Sequence, residues 1–499
     1  MRAADEATEA ARAGAARIVL KNTLYLTVAQ TLSIPLSILH QAIMARYLGA
    51  EEFGYIYFAM TVGGFGLLAV NWGQGGALPA LVAHEREKAG QLLGTSLVWR
   101  AIASVVVYLV LAVGLHVLGY SPGIQWALGL LFLGLALGAI LSACQDTIRG
   151  FERTDVAAYA QVGQQFGAVL FVVPVLLLGA RMRGALLAHA AAVAVVLFLV
   201  FRALRPAGVG ALRFDKNSLR ALLTGGTPFV FFGLALELQP TIDVTWLSKL
   251  APPEVMGWYG VTRKLIGLLL FPATALIGAL YPTLCRLRVT DMEGFNQTTS
   301  GALRGVSLLV VPVALGCALF PEIGISIFSR EAFGPAEDNL RILALFLFLV
   351  YFTMPIGICL LAAGKQRAWT LVQLVCVATS LGLDPLLIPW AQKRFGNGGL
   401  GLCVATVSCE LIMLGAGIWL APRGIFDKRL RHTIFFALVA GAAMAVVARV
   451  ARPLTPYVAA PLSVIAYAIV LRVTGAVDQA QVDQLRGFVM RRLPGRRNG

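Results

Sequence analysis

Charge is what this sequence has least of. Only 13% of its 499 residues are Asp, Glu, Lys or Arg, while 58% are hydrophobic and the mean hydropathy is +0.78. A soluble domain carries about 25% charged residues, so a set of soluble domains is excluded. Long hydrophilic segments are also missing. The widest breaks between apolar runs lie at about 205–221, 284–297 and 321–336. None can house a catalytic domain, which excludes a membrane glycosyltransferase or polymerase carrying its carboxylates on a large loop. No P-loop is present. The seven cysteines (Cys144, Cys285, Cys317, Cys359, Cys376, Cys403 and Cys409) show no CxxC and no Cys/His spacing for a metal, and they read as inert buried thiols. The five histidines (His40, His84, His116, His189, His432) form no sequence cluster. GNGGLG at 396–401 matches GxGxxG but opens an apolar helix with no strand before it, so it is a turn.

What is there, end to end, is uncharged apolar sequence in runs of about 18 residues or more, the length of a membrane helix. The runs are too long and too uniform for barrel strands, and helices satisfy every backbone group within lipid. The fold expected is all-α: a polytopic membrane protein of about 14 transmembrane helices. The spans fall at about 18–44, 54–80, 92–119, 124–148, 155–179, 183–204, 222–248, 255–283, 298–320, 337–362, 367–391, 398–420, 431–450 and 453–473. The segment MRAADEATEAARAGAAR leads into a long run without a small-residue cleavage site, and reads as part of a retained first helix. With both termini cytoplasmic, 27 Lys and Arg lie inside and 10 outside, as the positive-inside rule requires. The formal net charge of +16 is then a signal of topology and does not imply nucleic-acid binding.

An internal repeat organises the spans. ARYLGAEEFGYIY at 45–57 matches SKLAPPEVMGWYG at 248–260, with Arg46 on Lys249, Glu51 on Glu254 and Gly54 on Gly257. The same offset of 203 puts Pro79 on Pro282, an offset of 204 puts Arg100 on Arg304, and GFER (150–153) meets GKQR (364–367). Equivalent loops fall on one side of the membrane, so the halves are parallel repeats, a transporter arrangement of two bundles around a central cavity. The expected divisions are an N-terminal six-helix bundle at 1–204, a cytoplasmic linker at 205–221, a second bundle at 222–420, and two further helices with a basic cytoplasmic tail at 421–499. Gly49 and Gly54 are expected to allow the outward turn between the first two spans. Pro35, Pro228, Pro240 and Pro272 are expected to bend spans one, seven and eight.

ARYLGAEEFGYIYFA after the first span, IRGFERTD after the fourth, LRFDKNSLRALLTGGTPF entering the seventh and IDVTWLSKL…EVMGWYGVTRKL across the seventh and eighth together resemble the polysaccharide flippase family. Its superfamily also holds the murein-precursor flippases and the multidrug and toxic compound extrusion transporters. The resemblance covers about 18–420, with spans thirteen and fourteen as the family's usual addition. It implies a prokaryotic inner-membrane flippase, not an enzyme, with no cofactor. Its partners would be a polyprenyl-pyrophosphate-linked oligosaccharide, the lipid bilayer and other polysaccharide-assembly membrane proteins. The same fold also serves cation-coupled exporters of drugs and organic cations. Such substrates would want an acidic cavity, and the intramembrane charges here lean basic.

Ionisable groups inside spans are costly and usually face a cavity or one another. Those in this chain are Arg100, Glu237, Asp243, Arg263, Lys264, Arg304, Asp384 and Glu410. Arg263 and Lys264 are adjacent and point about 100° apart, so one carboxylate cannot satisfy both. Pyrophosphate suits Arg forks. The candidate substrate-binding residues are therefore Arg100 and Arg304 at the inner mouth, with Arg263, Lys264 and Arg46 further out, and His40, Gln41 and Gln239 as polar lining. The competing reading of the cations is snorkelling or pairing with acids. Asp243, Asp384, Glu410 and Glu237 are candidates for coupling to H⁺ or Na⁺, and relatives in the superfamily carry such a site in the second half. For Asp243 a salt bridge to Arg263 competes with that role. For Asp384 the competing role is a cap beside Pro385.

Overall fold

The structure is a computed structural model describing residues 2–475, with side chains described from residue 25 onward apart from 26, 232 and 330. The basic tail expected beyond the last span lies outside the described residues. Seventeen helices follow one another: α1 Arg2–Asn71, α2 Gln74–His84, α3 Ala89–Val117, α4 Pro122–Gly150, α5 Thr154–Leu177, α6 Met182–Leu204, α7 Lys216–Leu250, α8 Pro253–Leu269, α9 Phe271–Thr290, α10 Met292–Leu319, α11 Pro321–Ser326, α12 Arg330–Phe333, α13 Ala336–Ala362, α14 Gln366–Phe395, α15 Gly398–Leu420, α16 Lys428–Val450 and α17 Pro456–Val473. No strand occurs among the described residues. Among the described residues, eleven helical stretches are long and apolar enough to cross a bilayer, and the count rises to thirteen when two bent pairs are each one span.

One of these stretches, Thr27–His84, is 58 residues long. As a straight helix it would run about 87 Å, far more than a hydrocarbon core of about 30 Å needs. It is divided at Gly49, whose φ of 75° and ψ of −179° are not helical. The Gly49 end meets the start of α6, where Arg181 Nε lies 2.9 Å from Glu52 and the Met182 amide donates to Glu52 at 3.1 Å. Both arms return to the opposite end, where Tyr25 meets Tyr159 and Trp72 meets Trp99. The decapeptide ARYLGAEEFG is therefore a helical reversal made by one glycine, and the 58-residue stretch it divides is long enough for two of the expected spans. Gly54 is not part of the turn conformation. A Cβ there would lie 2.2 Å from the Pro253 carbonyl oxygen, and one on Gly257 would lie 2.0 Å from that of Ala50. These two glycines, mates in the repeat, let two backbones touch.

The chain forms two compact units, residues 1–260 with 331–333, and 261–330 with 334–499. The first contains α7 as well as the six expected spans, because α7 packs on α1, α2 and α3. Its core includes Leu78, Leu93, Leu141, Cys144, Ile148 and Leu222, all essentially inaccessible. Small residues let its helices approach closely; a Cβ on Gly73 would fall 2.0 Å from the Gly226 carbonyl oxygen. Within this unit the expected linker is strapped along α3. The Arg213 amide donates to the Gly90 carbonyl at 3.4 Å, and the Asp215 amide donates to Thr95 Oγ1 at 2.9 Å. A Cβ on Gly90 would lie 2.5 Å from Ala211 O, and one on Gly94 would lie 2.7 Å from Arg213 N. Asp215 then caps α7 by accepting from the Ser218 amide (2.7 Å) and hydroxyl (2.8 Å). Those bonds, the backbone one foremost, hold its carboxyl below the usual carboxylate value.

The second unit is built on α10, α13, α14, α15, α16 and α17. α14 and α15 are antiparallel neighbours. A Cβ on Gly401 would lie 2.2 Å from the Leu387 carbonyl oxygen, and Cys376 and Cys409 each donate to the other's carbonyl at 3.4 Å. The turn between them is the GNGGLG segment, with Gly396 left-handed at φ 69° and Asn397 capping α15 through Gly399 N at 3.0 Å. All seven cysteines are free. Of the expected proline bends, one lies between α8 and α9, which meet at 44° with Pro272 in the first turn of α9. α7 is broken between Phe231 and Gly233, just beyond Pro228. At Pro35 no non-helical residue interrupts α1.

Candidate functional site

In the first unit the deepest charge is Arg100 on α3, only 1% exposed. Its Nη1 donates to the Ala139 carbonyl and to Ser142 Oγ, both at 2.5 Å, and its Nε donates to Gln74 Oε1 at 3.4 Å. Its Nη2 lies 3.6 Å from Asp146. Gln74 in turn accepts from Ser96 Oγ at 2.5 Å, and Arg149 sits 3.2 Å from the other Asp146 oxygen. α2, α3 and α4 thus converge on one buried, ion-paired knot. A guanidinium with its donors engaged inside the protein is not free for a headgroup, so the structure places Arg100 outside the candidate substrate surface. Asp146, Gln74 and Ser142, which complete the knot, are partners that the sequence did not single out.

Two histidines also meet in this unit. His40 on α1 stacks on His189 on α6, with ring centroids 5.5 Å apart and planes 18° from parallel. The five histidines are scattered in sequence, yet these two pair in space, because α1 and α6 flank the same interior. Gln41 Nε2 donates to Ser37 Oγ at 3.2 Å. Arg46 is exposed just before the Gly49 reversal, Asp243 is buried, Glu237 is exposed and Gln239 is half-buried. Neither the Glu237 nor the Gln239 side chain makes a hydrogen bond or ion pair among the described residues.

The remaining charges lie in the second unit. Arg263 on α8 lies over the Phe346 ring, 5.3 Å from its centroid. Glu410 on α15 is 7% exposed and accepts a hydrogen bond from Thr353 Oγ1 on α13. Asp384 on α14 is inaccessible and accepts from Ser380 Oγ at 3.1 Å. These two acids are not at one level. Gly401 faces Leu387 and Ile388, while Cys409 faces Cys376, so Glu410 sits near Cys376, about 12 Å along α14 from Asp384 at 1.5 Å per residue. Lys264, next to Arg263, is half-buried and has no hydrogen bond or ion pair among the described residues. Arg304 on α10 is likewise half-buried and without an ion pair among them, and its Nε has no hydrogen-bond partner. No group of three or more His, Cys, Asp or Glu side chains suits a metal ion among the described residues.

The second unit can therefore do two things chemically. It presents uncommitted cations on α8 and α10, able to meet an anionic group, and it holds buried carboxyls on α14 and α15, each with a hydroxyl donor. The Glu410–Thr353 contact joins residues 57 apart, beyond the reach of a spacing argument.

The profile of the polysaccharide biosynthesis protein family matches residues 19–288. Among solved structures, the lipid II flippase MurJ in an inward closed conformation superposes with a TM-score of 0.70 at 12% identity, covering 90% of this chain and 98% of that chain. A multidrug resistance MATE family transporter of the MOP superfamily, inward-facing, gives 0.65 at 15% identity, covering 79% and 97%. A variant of the Vibrio cholerae MATE transporter VcmN gives 0.54 at 16%, covering 83% and 99%. No curated protein matches significantly. The structural likenesses establish the fold, that of a multi-pass helical membrane protein like these, and the profile spans more than half of the sequence. The chain belongs to the polysaccharide biosynthesis protein family.

Proposed function

We propose that this protein is a flippase. It moves a polyprenyl-pyrophosphate-linked oligosaccharide from the cytoplasmic to the outer leaflet of a prokaryotic inner membrane, for cell-surface polysaccharide synthesis. Family membership and the MurJ-like fold favour this class. The observation that carries the substrate is the state of Arg304 and Lys264, two cations in membrane-spanning helices with no acid partner among the described residues. Isolated charge there is costly and finds its use in meeting the pyrophosphate. In this reading both termini are cytoplasmic, sugars and pyrophosphate pass through a hydrated path, and the polyprenyl tail stays in lipid. Inward-open and outward-open states alternate. The touching glycines Gly54 and Gly257 are part of the outer closure that parts in each cycle. Glu410 with Thr353, and Asp384 with Ser380, are the sites where H⁺ or Na⁺ exchanges to couple the cycle. The protein itself performs no covalent chemistry.

The rival of the same fold is an organic-cation exporter, favoured by the buried acids just named. Proteoliposomes separate the two. The expected result is inside-to-outside movement of a polyprenyl-pyrophosphate-linked sugar that slows when the H⁺ or Na⁺ gradient is collapsed, with no uptake of a fluorescent organic cation. Cation transport without lipid movement would reverse the assignment, and gradient-independent flipping would remove the coupling role.

A further inference from the structure

The second unit has a feature unrelated to the intramembrane charges. Between α13 and α16, with α10 as its floor, runs a groove of about 390 Å³. Its floor and walls are small or apolar, including Ala314, Ala318, Phe348, Gly441, Ala442 and Ala445. Gly441 brings α16 down onto α10, since a Cβ there would lie 2.8 Å from Val311. Leu345 and Leu438 on the walls are each 49% exposed, so the groove opens on the flank of the unit where lipid lies. Val311 to Ala318 rise about 10 Å.

The groove runs into a second cavity of about 630 Å³, with which it shares Ala318, Arg341 and Ala445. This mouth lies where α10 and α16 end, the outer side by the distribution of Lys and Arg. It is polar: Arg341, Arg449, Arg452 and Glu322 line it. Arg341 is held by Asp338 and by Glu337 at 3.8 Å. Arg449 and Arg452 are exposed and in no ion pair among the described residues. Against Glu322 they leave a cationic excess, and the planar fork of a guanidinium suits phosphate.

An apolar slot ending in unpaired arginines at the level of the headgroups matches one chemical class. We propose that α10, α13 and α16 bind an anionic phospholipid of the outer leaflet. One acyl chain fills the groove and the phosphate sits between Arg449 and Arg452. A bilayer phospholipid suits the site better than a polyprenyl phosphate. The slot is short and lined by small residues, Ala314 and Ala318 on the floor and Gly441, Ala442 and Ala445 on the α16 wall, which fits a straight methylene chain, whereas a polyprenyl chain carries a methyl branch on every isoprene unit. The site is independent of which substrate the protein transports.

Native mass spectrometry of the purified full-length protein tests this, with phosphatidylglycerol, phosphatidylcholine or undecaprenyl phosphate added at equal concentration. The wild type should retain phosphatidylglycerol over phosphatidylcholine by about tenfold or more, the scale of two arginines acting on an anionic lipid. The preference should vanish in Arg449→Gln/Arg452→Gln, whose substitutions are at the surface. Retention itself should fall in Ala445→Phe, which fills the slot. Equal retention of the two phospholipids, or retention unchanged in both variants, overturns the site. Displacement of phosphatidylglycerol by undecaprenyl phosphate overturns the occupant.

Discussion

Arg100 and Arg304 hold equivalent places in the repeat, and their surroundings are opposite. The first is locked to Asp146, Gln74, Ser142 and a carbonyl. The second has no ion pair among the described residues and an unbonded Nε. Removing one partner of a buried pair costs about 3–5 kcal/mol, because the other charge is stranded. Arg100→Gln should therefore lower the melting temperature in detergent sharply, whereas Arg304→Gln should leave it within a degree or two of wild type. Equal loss in both would show that Arg304 is also structural. The sequence named both cations, but it could not say which had a partner, since Asp146 comes from another helix 46 residues away. One signal was present: by the register of GFER on GKQR, Asp146 falls on Leu360, so the second half lacks the acid that neutralises the first. The stacking of His40 on His189 had no such signal, because the contact depends on how α1 and α6 pack.

Helices and turns were largely legible, because runs of apolar residues bounded by Gly, Pro and charge define membrane spans almost alone. The roles of individual glycines were not. Gly49 and Gly54 both read as turn residues, yet only Gly49 has a left-handed φ, with open space around it. Gly49→Ala should destabilise by about 1–3 kcal/mol through backbone strain alone. Gly54→Ala instead forces two backbones apart, and should impair transport while leaving the turn intact. Thermal unfolding paired with a transport assay distinguishes these. The segment at 205–221 reads in the sequence as a cytoplasmic linker, and the glycines of α3 that seat it give no hint of their role. Gly94→Val should lift the strap and speed hydrogen exchange across 211–216; unchanged exchange would mean that the strap contributes nothing. The cap at its end has a defined pH response. The Asp215 carboxyl is depressed in the folded state, so its stabilisation is present above about pH 4, the unfolded value, and is lost as pH falls through the lower folded value. Exchange of the Ser218 amide should rise only in that acid range.

At the scale of the molecule, composition was enough to expect a polytopic helical membrane protein, which the eleven to thirteen candidate spans among the described residues match, and the profile match agrees with the motifs that suggested its family. The compact units are a property of contacts and not of sequence order: α7 follows the linker yet packs on α1, α2 and α3. In the proposed flippase, substrate handling would likewise depend on uncommitted charge, which no linear motif records. The most direct measurement is flipping of a polyprenyl-pyrophosphate-linked sugar in proteoliposomes, comparing wild type with Lys264→Gln/Arg304→Gln at matched melting temperature. Wild type should flip the lipid, and the double variant should fall to the protein-free background. Flipping at the wild-type rate in the folded double variant would overturn the role of these two cations in substrate transfer.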